Sequence, residues 1–265
     1  RKDMIEVKNL SSGYFGKTIV KDISMKFVPG EVLVLLGPNG SGKTTFLKAA
    51  LGLLPVTEGE ILYDGVDIRK MRPKEVAQKA AFLSQSRNTP SIQALRMVLH
   101  GRFPYLSYPR SYSKRDKELA REAMKKTGST PYEQMNVSEL SGGQRQGVYL
   151  AMALAQDTET VFMDEPTTYL DIRHQIGVME TARELAEEGK AVVLVLHDLP
   201  LAMSGADKVA VFEKGRLIAC DTPEHIYESN VLDLVFEVEV HCMETKHGRQ
   251  YYCLPSEKRE ESSKE

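Results

Sequence analysis

The sequence predicts an α/β fold built around a phosphate-binding loop, and three observations carry that prediction. The segment GPNGSGKT, Gly37–Thr44, fits G-x-x-x-x-G-K-[ST] and directly follows the apolar run Val32–Leu36, the strand context this pattern requires. Val161–Met163 and Val192–Leu196 are further continuous apolar runs, as expected of strands buried on both faces of a parallel sheet. Helix-compatible stretches lie among them, at Lys43–Leu53 and Arg173–Glu188.

Taken in chain order, Met4–Phe27 contains short apolar and β-branched runs broken at Gly13 and Gly16, and Gly59–Ile68 repeats that style with a turn at Asp64-Gly65. These segments are expected to form an antiparallel β layer flanking the loop. Between Gln85 and Leu140 strand-like runs disappear. Met97–Gly101 and Lys114–Thr127 read as helices, separated by the Pro- and Tyr-rich FPYLSYPRSY. Val209–Cys220 reads as a hairpin around Lys214-Gly215, and Glu237–Leu254 as a second pair of strands turning near His247-Gly248. The charged tail Ser256–Glu265 is expected to be disordered. No internal repeat is present, so one structural unit is expected over residues 1–255, with a helical subdomain over about 86–158.

The loop's chemistry follows from its residue types. Gly37, Gly40 and Gly42 let the backbone curl so that successive N–H groups point inward. The helix opening at Lys43 adds unsatisfied donors and a positive dipole end. Such a loop suits a polyphosphate held by Gly37, Pro38, Asn39, Gly40, Ser41, Gly42, Lys43, Thr44 and Thr45, with Lys43 reaching the β- and γ-phosphates and the Thr44 hydroxyl on Mg²⁺. TVFMDE, Thr160–Glu165, supplies a strand ending in two carboxylates that alternation points in different directions. Asp164 is expected to hold Mg²⁺, directly or through water, and Glu165 to orient and partly deprotonate an attacking water beside the γ-phosphate.

Downstream, ELSGGQRQ at Glu139–Gln146 reads as a second anion site. Ser141 is a good N-cap for a helix over Gln144–Gln156, and Gly142 and Gly143 leave bare backbone N–H groups at its N-terminus.

Tyr14, Gln85, the LSGGQ segment Leu140–Gln144, TYLD at Thr168–Asp171, and His197 after the strand Ala191–Leu196 stand in the order seen in ATP-binding-cassette (ABC) ATPases, which the chain resembles over essentially its whole length. The resemblance implies a P-loop NTPase with a RecA-like core, an antiparallel β subdomain and a helical subdomain carrying LSGGQ, with ATP and Mg²⁺ as cofactors. It implies further that Tyr14 stacks on adenine, that Gln85 contacts Mg²⁺ and the lytic water, and that His197 touches the γ-phosphate. In this family LSGGQ faces the phosphate loop of the other subunit. Ser141, Gly142, Gly143 and Gln144 would therefore act in trans across an isologous two-fold interface, with Asp171 making contacts there.

HGRFPYLSY, AMALAQ, PTTYLDIRHQ and LHDLPLA are similar to segments of importer ATPases for iron–siderophore complexes, haem and cobalamin, nearest to the iron–siderophore branch. That implies integral-membrane permease subunits and a second copy of the chain as direct partners, an extracytoplasmic substrate-binding protein as an indirect one, and a place on the cytoplasmic side of the cell membrane. A soluble ATPase of the same family, such as an iron–sulphur assembly factor, is the competing class. Two departures from the family pattern are Ser84, where proline is frequent, and Gly147, where many relatives carry a basic residue; the glycine should soften its helix by about 1 kcal/mol.

Bulk properties bound these readings. With 265 residues, 42% of them hydrophobic, the chain can bury a real core. The formal net charge of −2 gives no basic footprint for nucleic acid. Cys220, Cys242 and Cys253 form no C-x-x-C pair and read as reduced thiols. Apolar runs are strand-sized, well short of the roughly 18 residues of a membrane span, and Arg1–Tyr14 lacks an apolar signal region. Solubility and a partner-mediated membrane role are expected, with Met4 a candidate natural start.

Overall fold

The computed structural model describes residues 5–85, 89–246 and 248–256. Met4, His247 of the proposed turn and residues 257–265 of the charged tail lie outside them.

A six-stranded sheet carries the site. Its order is β10(Arg216–Asp221), β9(Lys208–Glu213), β3(Val32–Leu36), β8(Ala191–Val195), β7(Thr160–Asp164) and β6(Ala80–Leu83). All pairings are parallel except that of β9 with β10. Every residue of β3, β7 and β8 is buried, which explains why these strands read as unbroken apolar runs rather than alternating ones. The second sheet is antiparallel, in the order β2(Lys17–Phe27), β1(Ile5–Tyr14), β4(Val56–Tyr63) and β5(Val66–Asp67). Phe15-Gly16, Asp64-Gly65 and Lys214-Gly215 turn their hairpins with positive φ at both residues, the twist that suits adjacent antiparallel strands.

Two apolar cores share the large sheet. One face packs Leu33, Leu35, Phe162 and Val193 against α1(Lys43–Ala50) and the antiparallel layer. The other packs Val34, Met163 and Leu194 against α5(Gly142–Ala155) and α6(Ile172–Glu187), and the same core runs on without a break into α3(Ala94–Leu99) and α4(Lys114–Lys126). Arg102, in a 3₁₀ turn over His100–Tyr105, knits that region together. Buried, it donates from Nε to Asp116 Oδ1 at 2.9 Å and from Nη1 to the Ala155 carbonyl at 2.9 Å. Two buried charges stay favourable only when paired in this way.

The structure corrects several expected boundaries. Helix α1 ends at Ala50, not Leu53. Gly52 has a φ of 68°, its N–H meets the Ala49 carbonyl, and the Leu53 N–H returns to the Lys48 carbonyl, a closed helix stop. Helix α5 begins at Gly142, two residues before the expected start, because Ser141 caps it and the glycines form its first turn. Elements the sequence reading did not name are β6, α2(Pro73–Lys79), α7(Leu199–Gly205), α8(Pro223–Glu228) and α9(Val231–Phe236). The chain closes with the hairpin β11(Val238–Thr245)–β12(Gly248–Pro255), and β12 packs on α7. Among the described residues no helix is long and apolar enough to cross a membrane.

Candidate nucleotide site

The site forms at the carboxyl ends of four adjacent parallel strands, the crevice where α/β sheets bind ligands. β3 runs into the loop at Gly37, β7 ends on Asp164, His197 follows β8 by two residues, and Gln85 follows β6 by two. One sheet thus brings together residues that are far apart in sequence.

The loop wraps a cavity of about 330 Å³ lined by Tyr14, Ile19, Asn39, Gly40, Ser41, Gly42, Lys43, Thr44, Thr45, Glu165 and His197. Gly37 and Pro38 are not on its wall but hold the lysine: Lys43 Nζ donates to their carbonyls at 2.6 and 3.1 Å. Gly37 has a φ of 153° and could carry no side chain, since a Cβ would lie 2.3 Å from the Phe212 carbonyl oxygen. The α1 N-terminus has no side-chain cap and no acidic residue in its first turn, which leaves its N–H groups and dipole directed at the cavity. Lys43 is only 5% exposed, and burial holds its pKa below the usual lysine value.

At the acidic end, Thr44 Oγ1 donates to Asp164 Oδ1 at 2.9 Å. Asp164 is 2% exposed, and burial raises its carboxyl above the ordinary range although the Thr44 bond pulls the other way. Glu165, just past the strand, has a φ of 50°, a left-handed conformation that costs energy for a non-glycine residue and turns its side chain away from that of Asp164. Its carboxylate collects three partners: Gln85 Nε2 at 2.5 Å, His197 Nε2 at 2.6 Å and Thr168 Oγ1 at 3.2 Å. The structure therefore groups Glu165, Gln85 and His197 in one cluster at the cavity. Gln85 and Asp164 reach it through Glu165 and Thr44 rather than by lining it.

The LSGGQ segment lies elsewhere. None of Ser141–Gln144 lines the loop cavity. Ser141 caps α5 reciprocally: its Oγ accepts from Gln144 N at 3.4 Å, and Gln144 Oε1 accepts from Ser141 N at 3.0 Å. A Cβ on Gly142 would meet nothing within 4 Å, so its backbone faces open space. Gly143 has a different reason to be glycine, because a Cβ there would lie 2.6 Å from His174 Nε2. His174 is fixed by Asp171, which caps α6 and accepts from His174 N at 2.9 Å. The exposed Asp171 thereby stands beside the signature turn, next to a fully exposed Tyr169 and the exposed Ile172. Gly147 also serves an approach: a Cβ would come within 3.2 Å of the Thr127 carbonyl, so the residue read as a helix softener lets α5 lie close to the end of α4.

Sequence reasoning missed Ile19, Thr168 and His174. No motif marks Ile19; Thr168 opens TYLD and His174 follows it, a segment that was read for its aspartate alone.

Comparison with known proteins decides the family. The ABC transporter family profile matches residues 20–168, more than half of the chain. The chain belongs to the ABC transporter ATP-binding family. It is an ATP-binding protein and an ATP hydrolase of that kind. It is 38% identical to a petrobactin import ATP-binding protein of Bacillus anthracis, over 89% of this chain and 87% of that one. It is 40% identical to a hemin import ATP-binding protein of Rhodococcus jostii, over 86% and 78% of the two chains. An inward-facing metal-chelate type ABC transporter superposes with a TM-score of 0.82 over 96% of this chain and 98% of the matched one, at 24% identity, a likeness of fold.

Proposed function

We propose that this chain is the ATP-hydrolysing subunit of a membrane importer for iron(III)–siderophore complexes. Two copies would dock on the cytoplasmic side of integral-membrane permease subunits fed by an extracytoplasmic binding protein. The observation that carries the catalytic part is the cluster on Glu165. A carboxylate held by Gln85 and His197 at the mouth of a phosphate loop is built to orient a water and accept its proton. The loop N–H groups and Lys43 hold the phosphates, and Tyr14 offers its ring to the adenine. Thr44 and Asp164, joined Oγ1 to Oδ1, are an oxygen donor pair that fits Mg²⁺, which when bound would neutralise phosphate charge, and Gln85 would complete the set with its amide oxygen.

The separation of Ser141–Gln144 from the cavity supports the paired reading. The Gly142 backbone, open to solvent at a capped helix start, is free to meet the nucleotide of a second copy. Tyr169, Asp171 and Ile172 supply an exposed surface for that contact. We assign residues 1–255 to a single cassette with its helical subdomain over about 86–158.

For the permease, the fitting surface is an apolar groove of about 400 Å³ lined by Leu51, Leu53, Ile68, Met71, Val76 and Phe82, with Leu53 60% exposed. FPYLSY is tied to α2, which helps to line that groove: Gln78 Nε2 donates to the Pro104 carbonyl at 2.8 Å and Lys74 Nζ to the Leu106 carbonyl at 3.2 Å. Phe103, 53% exposed, and the half-buried Tyr105 are docking candidates on it, the Tyr105 ring also covering the Arg102 guanidinium at 4.0 Å. The iron–siderophore choice is supported by the resemblance of PTTYLDIRHQ and LHDLPLA to that branch. Likeness to the petrobactin import protein supports the importer role. Reconstituted uptake with the cognate permease and binding protein, run in parallel with ferric siderophore, haem and cobalamin, tests the proposal. Transport of haem or cobalamin alone would refute the siderophore choice, and failure to bind any permease would favour a soluble ATPase. Phe103→Ala should uncouple uptake while sparing basal hydrolysis.

A further inference from the structure

We infer that Gln146 is a positioning residue through which the signature segment of a chain acts on the catalytic glutamate of that same chain. Gln146 lies one turn inside α5 and donates from Nε2 to the Pro166 carbonyl at 2.5 Å. Pro166 is buried and directly follows Glu165, whose left-handed backbone is stable only if its surroundings fix it. Among the described residues the backbone at Glu165 is otherwise tied by Glu165 N to the Val195 carbonyl at 3.2 Å and Thr168 N to the Glu165 carbonyl at 3.4 Å. The neighbouring Arg145 spans from the Leu140 carbonyl at 2.9 Å to Thr89 Oγ1 at 3.2 Å, on the segment that follows Gln85. The first turns of α5 thus touch two of the chain segments that meet at the Glu165 carboxylate, the one that follows Gln85 and the turn after Glu165 itself.

This inference rests on the paired reading, in which Gly142 and Gly143 meet the nucleotide of the second copy. A shift of α5 on that contact would pull the Pro166 carbonyl and with it the Glu165 backbone. One chain's signature would then report the partner's nucleotide to its own hydrolytic site, coupling the two sites of the pair.

The test is steady-state hydrolysis against ATP concentration for the purified chain and two variants. Gln146→Met keeps the length and loses the donor, whereas Gln146→Lys keeps an N–H donor of similar reach. Gln146→Met should lower kcat about tenfold or more, the scale of a sub-ångström misplacement of a catalytic group, with KM within about twofold. Its Hill coefficient should fall toward about 1. Gln146→Lys should recover most of kcat and of the cooperativity. Unchanged kcat and Hill coefficient in Gln146→Met would overturn the inference. So would equal losses in both variants that track a lowered melting temperature, since a packing role alone predicts that. Light scattering separates the two readings: the Glu165→Gln/Gln146→Met double variant should still dimerise with ATP. Failure of Glu165→Gln alone to dimerise would refute the paired reading instead.

Discussion

His197 Nε2 stands 2.6 Å from Glu165 Oε1, joining the end of one central strand to the end of its neighbour across the mouth of the phosphate loop. Because β7 and β8 are hydrogen-bonded along their lengths, with Asp164 opposite Val195, this contact is held by the sheet itself. The carboxylate is therefore pre-positioned by the fold, which is the condition for efficient proton transfer.

Replacing Glu165 by Gln keeps the shape while removing the base. Turnover should fall by about two orders of magnitude or more with nucleotide affinity retained. Single-turnover hydrolysis beside equilibrium binding of a fluorescent ATP analogue measures both. Near wild-type turnover would remove Glu165 from its role.

Asp164 makes a pH-dependent prediction. Burial raises its pKa in the folded state, so its contribution to stability is fully present below the unfolded value and is lost as pH rises through the folded one. Above that folded value the nucleotide-free chain carries a buried, ionised carboxylate at a cost. Asp164→Asn, which can still accept from Thr44, should melt higher than wild type there. That advantage should shrink as pH falls through the raised folded-state pKa and the wild-type carboxyl takes up its proton. Paired calorimetric scans across that range check the sign.

The glycines of the loop should differ sharply in tolerance. Gly37→Ala forces a Cβ to 2.3 Å from the Phe212 carbonyl oxygen and should cost about 2–4 kcal/mol in urea unfolding. Gly40→Ala meets nothing within 4 Å and should cost only the left-handed backbone penalty, about 1–2 kcal/mol. Equal losses at the two positions would contradict the close approach.

What the sequence made legible follows from how each feature is encoded. Strands buried on both faces announce themselves as apolar runs, so β3, β7 and β8 were readable, and with them the ends on which Gly37, Asp164 and His197 sit. AAFL of β6 follows α2 with no break between them, and the six or seven residues of α2, α7, α8 and α9 are too few to show a helical period. Residue types that must bind phosphate at fixed spacing exposed the loop, yet the same symbols hid two other jobs. Gly143 was read as bare backbone for an anion, and it also makes room for His174. Tyr105 was read only as part of a Pro- and Tyr-rich break between helices, and its ring covers a buried arginine. The first depends on a contact between segments distant in the chain, the second on a 3₁₀ turn that lays Tyr105 over Arg102, and neither shows in the residue pattern.

ATP is expected to join two copies of this chain, each lending Ser141 to the other's phosphate loop. The most direct test is the mass of the Glu165→Gln variant by multi-angle light scattering, with and without ATP and Mg²⁺. The expected result is a monomer without nucleotide, a dimer with it, and a monomer in both conditions once Ser141→Arg is added. A nucleotide-saturated Glu165→Gln chain that stays monomeric at high concentration, or a dimer indifferent to Ser141→Arg, would contradict it.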